Sequence, residues 1–131
     1  MSTGAADLIV ESLDQLAERV GDPSPAIYAR LFAEFPETEE RFFRDVNGSI
    51  RAEMLAQVFG CLMDPGGPYQ MNLIRSERVN HDGFGTPNEV FNRFFWIVRD
   101  ACRELLGEAW TPAFESAWTQ RIDAVLADVT K

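Results

Sequence analysis

Apolar residues recur at three- and four-residue steps through nearly the whole chain, and no strand signal competes with them. A helix with one apolar face must bury it against others of its kind, so the expected fold class is all-α. Leu8, Ile9, Leu13, Leu16 and Val20 predict a first amphipathic helix, stopped by Gly21-Asp22-Pro23-Ser24-Pro25. In that break Ser24 reads as a capping hydroxyl and Pro25 as a first-turn proline, whose missing N–H costs nothing there. Ile27, Tyr28, Leu31, Phe32 and Phe35 predict a second helix running into Pro36-Glu37. A short helical turn from Thr38 to Phe43 leads to a corner, Arg44-Asp45-Val46-Asn47-Gly48. The next stripe is Ile50, Met54, Val58 and Leu62, widened by Leu55, Phe59 and Met63 and ended by Asp64-Pro65-Gly66-Gly67-Pro68.

Tyr69 to Asn80 is less regular and ends at His81, the one histidine of the chain, before Gly83 and Gly85. Thr86, Pro87 and Glu89 have the spacing of a capping box and open a long helix. Its buried face is expected to comprise Val90, Phe91, Phe94, Phe95, Ile97, Val98, Ala101, Cys102, Leu105 and Leu106, with Gly107 as its stop. Thr111-Pro112 starts a final helix through Phe114, Trp118, Ile122, Val125 and Val129.

With 131 residues, the expected organisation is a single domain spanning residues 1–131. Acidic residues outnumber basic ones 21 to 12, for a net charge of −9, which argues against a nucleic-acid partner because phosphate binding needs surplus cations. No apolar run approaches the length of a membrane span, so no membrane role is expected. No basic residue precedes an apolar block near Met1, so no signal peptide is expected and a cytoplasmic location is the default. Cys61 and Cys102 lie inside apolar helical patterns and read as small buried hydrophobes rather than as a disulfide or redox pair.

Several short pieces stand in a characteristic order along the chain. They are Tyr28-Ala29-Arg30-Leu31-Phe32, Pro36-Glu37, Phe42 with Phe43 beside it, and His81 just before a glycine-bearing corner. Leu106-Gly107, Trp110-Thr111-Pro112 and Ala117-Trp118 complete the series. In that order they resemble bacterial single-domain globins. The resemblance covers nearly the whole chain and implies a globin-like, three-over-three helical sandwich around a haem pocket holding haem b (iron protoporphyrin IX). It implies that His81 is the metal ligand, that Tyr28 stabilises the gas ligand from the distal side, and that Phe42, Phe43, Phe91 and Phe94 line the haem.

At the position where such globins carry a distal histidine or glutamine, spacing puts Ile50, with Met54 one turn on. A slip of one residue would put Arg51 and Leu55 there instead, and the stripe from Ile50 to Leu62 favours the first register. Arg51, Arg75 and Arg78 are candidates to meet the propionates, because a guanidinium pairs with carboxylates through two points. Glu77 or a carbonyl near it is a candidate partner for the second nitrogen of His81. The residues taken singly leave plainer readings open: a surface or capping histidine, a core tyrosine, and a methionine that only packs.

The chain departs from the flavohaemoglobin-like pattern in carrying Phe91 where a tyrosine stands ten residues after the histidine. The C-terminal glutamate of that pattern and a fused reductase are not expected either. The resemblance therefore implies reversible binding of dioxygen or another diatomic gas (O2, NO or CO). The alternatives are a nitric oxide dioxygenase or peroxidase-like globin served by an external reductase, and a haem-free globin-fold sensor or interaction module.

Overall fold

The periodicity is realised as helix throughout the computed structural model, which describes residues 4–42, 45, 47–63 and 88–129; no strand occurs among them. Among the described residues there are five α-helices: α1 Ala5–Arg19, α2 Ser24–Glu34, α3 Ser49–Met63, α4 Asn88–Leu106 and α5 Pro112–Val129. A 3₁₀ segment, Pro36–Phe42, follows α2, and a 3₁₀ turn, Gly107–Ala109, joins α4 to α5.

Local chemistry explains where these helices begin and end. Gly21 takes φ +94°, and its N–H and that of Val20 both donate to the Leu16 carbonyl, closing α1. The cap of α2 differs from the expectation placed on Ser24: Pro23 stands at the N-cap position, with no side-chain cap hydrogen bond. The Asp22 carboxylate accepts the Ser24 N–H instead, at 2.9 Å, and that bond holds the Asp22 carboxyl below its ordinary pKa. The Ser24 hydroxyl bonds that carboxylate as well. Gly107 does end α4, at φ +55°, a conformation that costs glycine nothing. Thr111 caps α5 by accepting the Phe114 N–H at 3.1 Å, with Pro112 directly after it.

α1 packs most extensively against α5, and α2 against α4; α3 touches α1, α2 and α5. The core between them contains Ile9, Leu16, Ile27, Leu31, Leu55, Val58, Leu62, Phe95, Val98, Trp118 and Ile122. Cys61 and Cys102 are both buried in it. Burial alone pushes the Cys102 thiol up to about 12, which keeps it protonated and unreactive. One polar group is buried with them: Ser12 Oγ donates to the Ile9 carbonyl at 2.7 Å and accepts the Trp118 indole N–H at 2.9 Å. No helix among the described residues is long and apolar enough to cross a membrane.

The stripe expected on α3 is rotated. Leu55, Val58, Cys61 and Leu62 are buried, Met54, Phe59 and Met63 are partly buried, and Ile50 is 52% exposed. α3 is apolar on most of its surface, so hydrophobicity does not fix which face turns inward. The helix is held at both ends by polar contacts instead. The Arg121 Nε–H donates to the Leu62 carbonyl at 2.8 Å, and Asp45 grips the opposite end.

Candidate functional site

Tyr28 projects from α2 into the space between α3, α4 and the 3₁₀ segment. It is 3% exposed, and its ring lies 5.5 Å from Phe42, 5.7 Å from Phe94 and 6.0 Å from Phe32, centroid to centroid. The Phe42 ring meets it edge to face, a favoured aromatic geometry. The helical spacing of Tyr28 and Phe32 sets both rings on the same side of α2, where Phe42 also reaches, 5.8 Å from Phe32. The phenol sits in an aromatic enclosure.

The Tyr28 hydroxyl donates to the backbone carbonyl of Arg51, in the first turn of α3, at 2.9 Å. Burial raises the phenol's pKa above its ordinary value, and the Asp45 charge adds to the rise while Arg51 opposes it. At neutral pH the group is therefore a neutral proton donor.

Asp45 organises the residues beneath that carbonyl. Its carboxylate accepts the Ile50 N–H on Oδ1, and the Arg51 N–H and Nε–H on Oδ2, each at 3.0 Å. The Arg51 Nη2 donates back to the Asp45 carbonyl at 3.1 Å. Asp45 is only 4% exposed, yet both of its carboxylate oxygens are satisfied. Burial raises its pKa, but the two backbone donors and the guanidinium outweigh it and hold the carboxyl below 3.8. Because the folded carboxyl binds its proton less tightly than the unfolded one, it stabilises the fold above about pH 4, and that contribution is lost as pH falls through the lowered folded value. The resistance of the wild type to urea is accordingly expected to fall more steeply on acidification than that of Asp45→Asn; parallel curves would remove Asp45 from the acid response.

Only some of the sequence-derived site residues are brought together. Tyr28, Phe42 and Phe94 are brought into contact. Met54 is partly buried against the core, and Phe91 pairs with Phe95 at 6.1 Å. Ile50 stands apart: it is exposed, whereas Leu55 of the alternative register is 3% exposed. Arg51, offered as a propionate partner, is engaged with Asp45. His81, Phe43, Arg75, Glu77 and Arg78 lie outside the described residues. No group of three or more potential metal-binding side chains occurs among the described residues. Sequence reasoning missed Phe32 as a ring partner of Tyr28 and Asp45 as the anchor of α3. A usable signal for Asp45 was present: a polar corner containing Asp, Asn and Gly immediately before an apolar helical run is a capping signature.

A second polar cluster joins α2, α4 and α5 at the surface. Arg93 Nε lies 2.9 Å from Glu34 Oε1, and Arg30 pairs with Glu104. Glu115 accepts from Trp110 Nε1 at 2.9 Å, Arg103 at 3.2 Å and Arg99 at 3.3 Å. These charges compensate one another across helix boundaries, and as exposed pairs each adds little to stability. Set against known proteins, the chain matches no family model, and no curated protein and no solved structure shows significant similarity to it.

Proposed function

We propose that this chain is a globin-like haem protein of the three-over-three type that binds dioxygen or another diatomic gas reversibly. The observation that carries the reading is the Tyr28 hydroxyl, a buried neutral proton donor walled by Phe32, Phe42 and Phe94 on an all-helical scaffold. The ordered run of globin-like pieces from Tyr28 to Trp118 supports it from the sequence side.

The described residues suit the group in their chemistry. Aromatic walls accept a flat apolar ring system, and the nearby Asp45 charge is compensated by Arg51 rather than left facing the enclosure. His81, as the sole imidazole of the chain, would hold the iron from the proximal side. When bound, the haem supplies an iron with an open position for a diatomic gas. Tyr28 would orient its O–H toward that gas, exchanging the Arg51 carbonyl for an acceptor that gains negative charge. Phe42 and Phe94 would exclude water from the same space.

Absorption spectra of the ferric, ferrous and CO-bound protein test this reading directly. A red protein with a Soret band supports it, and a protein that stays colourless when hemin is added overturns it. In the haem-loaded protein Tyr28→Phe is expected to speed oxygen dissociation by about tenfold. A hydrogen bond to a charged acceptor is worth about 1.5–3 kcal/mol, less about 1 kcal/mol for the carbonyl bond given up. An unchanged rate would take Tyr28 out of the distal role.

One observation favours a second reading, a haem-free globin-fold sensor or interaction module. The Tyr28 hydroxyl already has an acceptor within the protein, and its ring and those of Phe32, Phe42 and Phe94 pack on one another. The hemin titration separates the two.

A further inference from the structure

Three groups form one connected chain of hydrogen bonds between α2 and the start of α3. Asp45 holds the backbone N–H of Arg51 and its guanidinium, and the carbonyl of that same residue holds the Tyr28 proton. The phenol has a single proton to give. While that proton lies on the Arg51 carbonyl it is withheld from anything else in the aromatic enclosure. The strength with which the carbonyl keeps it depends on how firmly the first turn of α3 is held in place. That turn is held by a buried, charge-assisted cap, which is stronger than a neutral one.

We propose that Asp45 is a positioning residue that sets how much of the Tyr28 hydroxyl is available to a gas ligand, acting through the backbone carbonyl of Arg51. The role in gas binding rests on the haem reading above; the coupling between Asp45 and Tyr28 does not. The carboxylate never approaches the ligand. It fixes the competing acceptor. Weakening the cap loosens the carbonyl, releases the phenol and slows departure of the gas, the opposite sense to Tyr28→Phe. Asp45→Asn is the conservative probe. The amide oxygen still accepts one backbone N–H, but its NH2 faces the N–H and guanidinium donors of Arg51 and cannot accept from them.

The experiment has two arms. The chain has two tyrosines, so a Tyr69→Phe background leaves Tyr28 as the only phenol. Ultraviolet resonance Raman of the tyrosine doublet in the haem-free protein then reports whether Tyr28 donates strongly. Asp45→Asn is expected to weaken the donor signature while circular dichroism shows helix content retained, and an unchanged doublet overturns the coupling. Arg51→Gln, which keeps the carbonyl but removes the guanidinium, is expected to move the doublet in the same direction. It serves as the deciding variant if Asp45→Asn does not fold.

In the haem-loaded protein Asp45→Asn is expected to slow oxygen dissociation by about two- to tenfold, the scale of one neutral hydrogen bond. The same substitution on a Tyr28→Phe background is expected to leave the rate unchanged. An equal effect with and without the phenol marks a merely structural role and overturns the proposal. If no haem binds, the functional reading falls and the gas-binding half of this proposal falls with it, while the Raman arm still decides the coupling.

Discussion

Replacing Trp118 by alanine is expected to destabilise the fold by about 3–5 kcal/mol, the range for emptying a large aromatic site in a packed core. Trp118 is 0% exposed and stacks obliquely on Trp110 with centroids 5.7 Å apart. Its indole N–H is also given to Ser12, so the substitution removes both volume and the polar contact between α1 and α5. The Ser12 hydroxyl keeps its bond to the Ile9 carbonyl, so no buried donor is stranded and the void dominates the cost. Domains of this size have total stabilities of about 5–15 kcal/mol, so the variant should lose a large fraction and unfold at much lower urea. Trp118→Phe refills most of the space and should fall between the two. A loss below about 1 kcal/mol for the alanine variant would mean that the site collapses freely, contrary to the packing described.

Replacing His81 by alanine is expected to abolish stable haem retention. The chain offers one imidazole, so no second histidine can take its place. Losing an outer partner of a metal ligand commonly costs 10–100-fold in affinity, and removing the ligand itself should cost more than about 100-fold. The measurement is hemin titration of the haem-free protein, followed by transfer of the pigment to an acceptor globin. Imidazole added to the buffer should restore a liganded spectrum in the variant, because it refills the vacated coordination position. Undiminished haem affinity without added imidazole would refute the assignment of His81 and, with it, the gas-binding function proposed above.

How much of this was readable beforehand follows from the range of each interaction. The stops at Gly21 and Gly107 and the start at Thr111-Pro112 are settled within four or five residues, and the sequence shows them directly. The burial of Cys61 and Cys102 follows from the helical periodicity around them. Two features depend on more than local pattern. Ser12 looks like a polar interruption of an apolar stripe until Trp118 arrives from 106 residues away. The rotation of α3 could not be chosen from hydrophobicity, because residues on nearly every side are apolar; a polar anchor at Asp45 decides what the stripe left open. In the candidate site, the meeting of Tyr28 with Phe42 and Phe94 depends on the 3₁₀ segment folding back toward α2, which no residue of that segment signals alone.

The pairing of α1 with α5 also constrains the order in which the molecule can be assembled. During synthesis the inward side of α1, carrying Ile9 and Leu16, emerges early, while its main cover between residues 112 and 129 is still untranslated. Until then the greasy strip of nascent polypeptide has only the smaller native surfaces offered by α3 and, later, α4. Its cover is completed only when the ribosome has delivered Trp118.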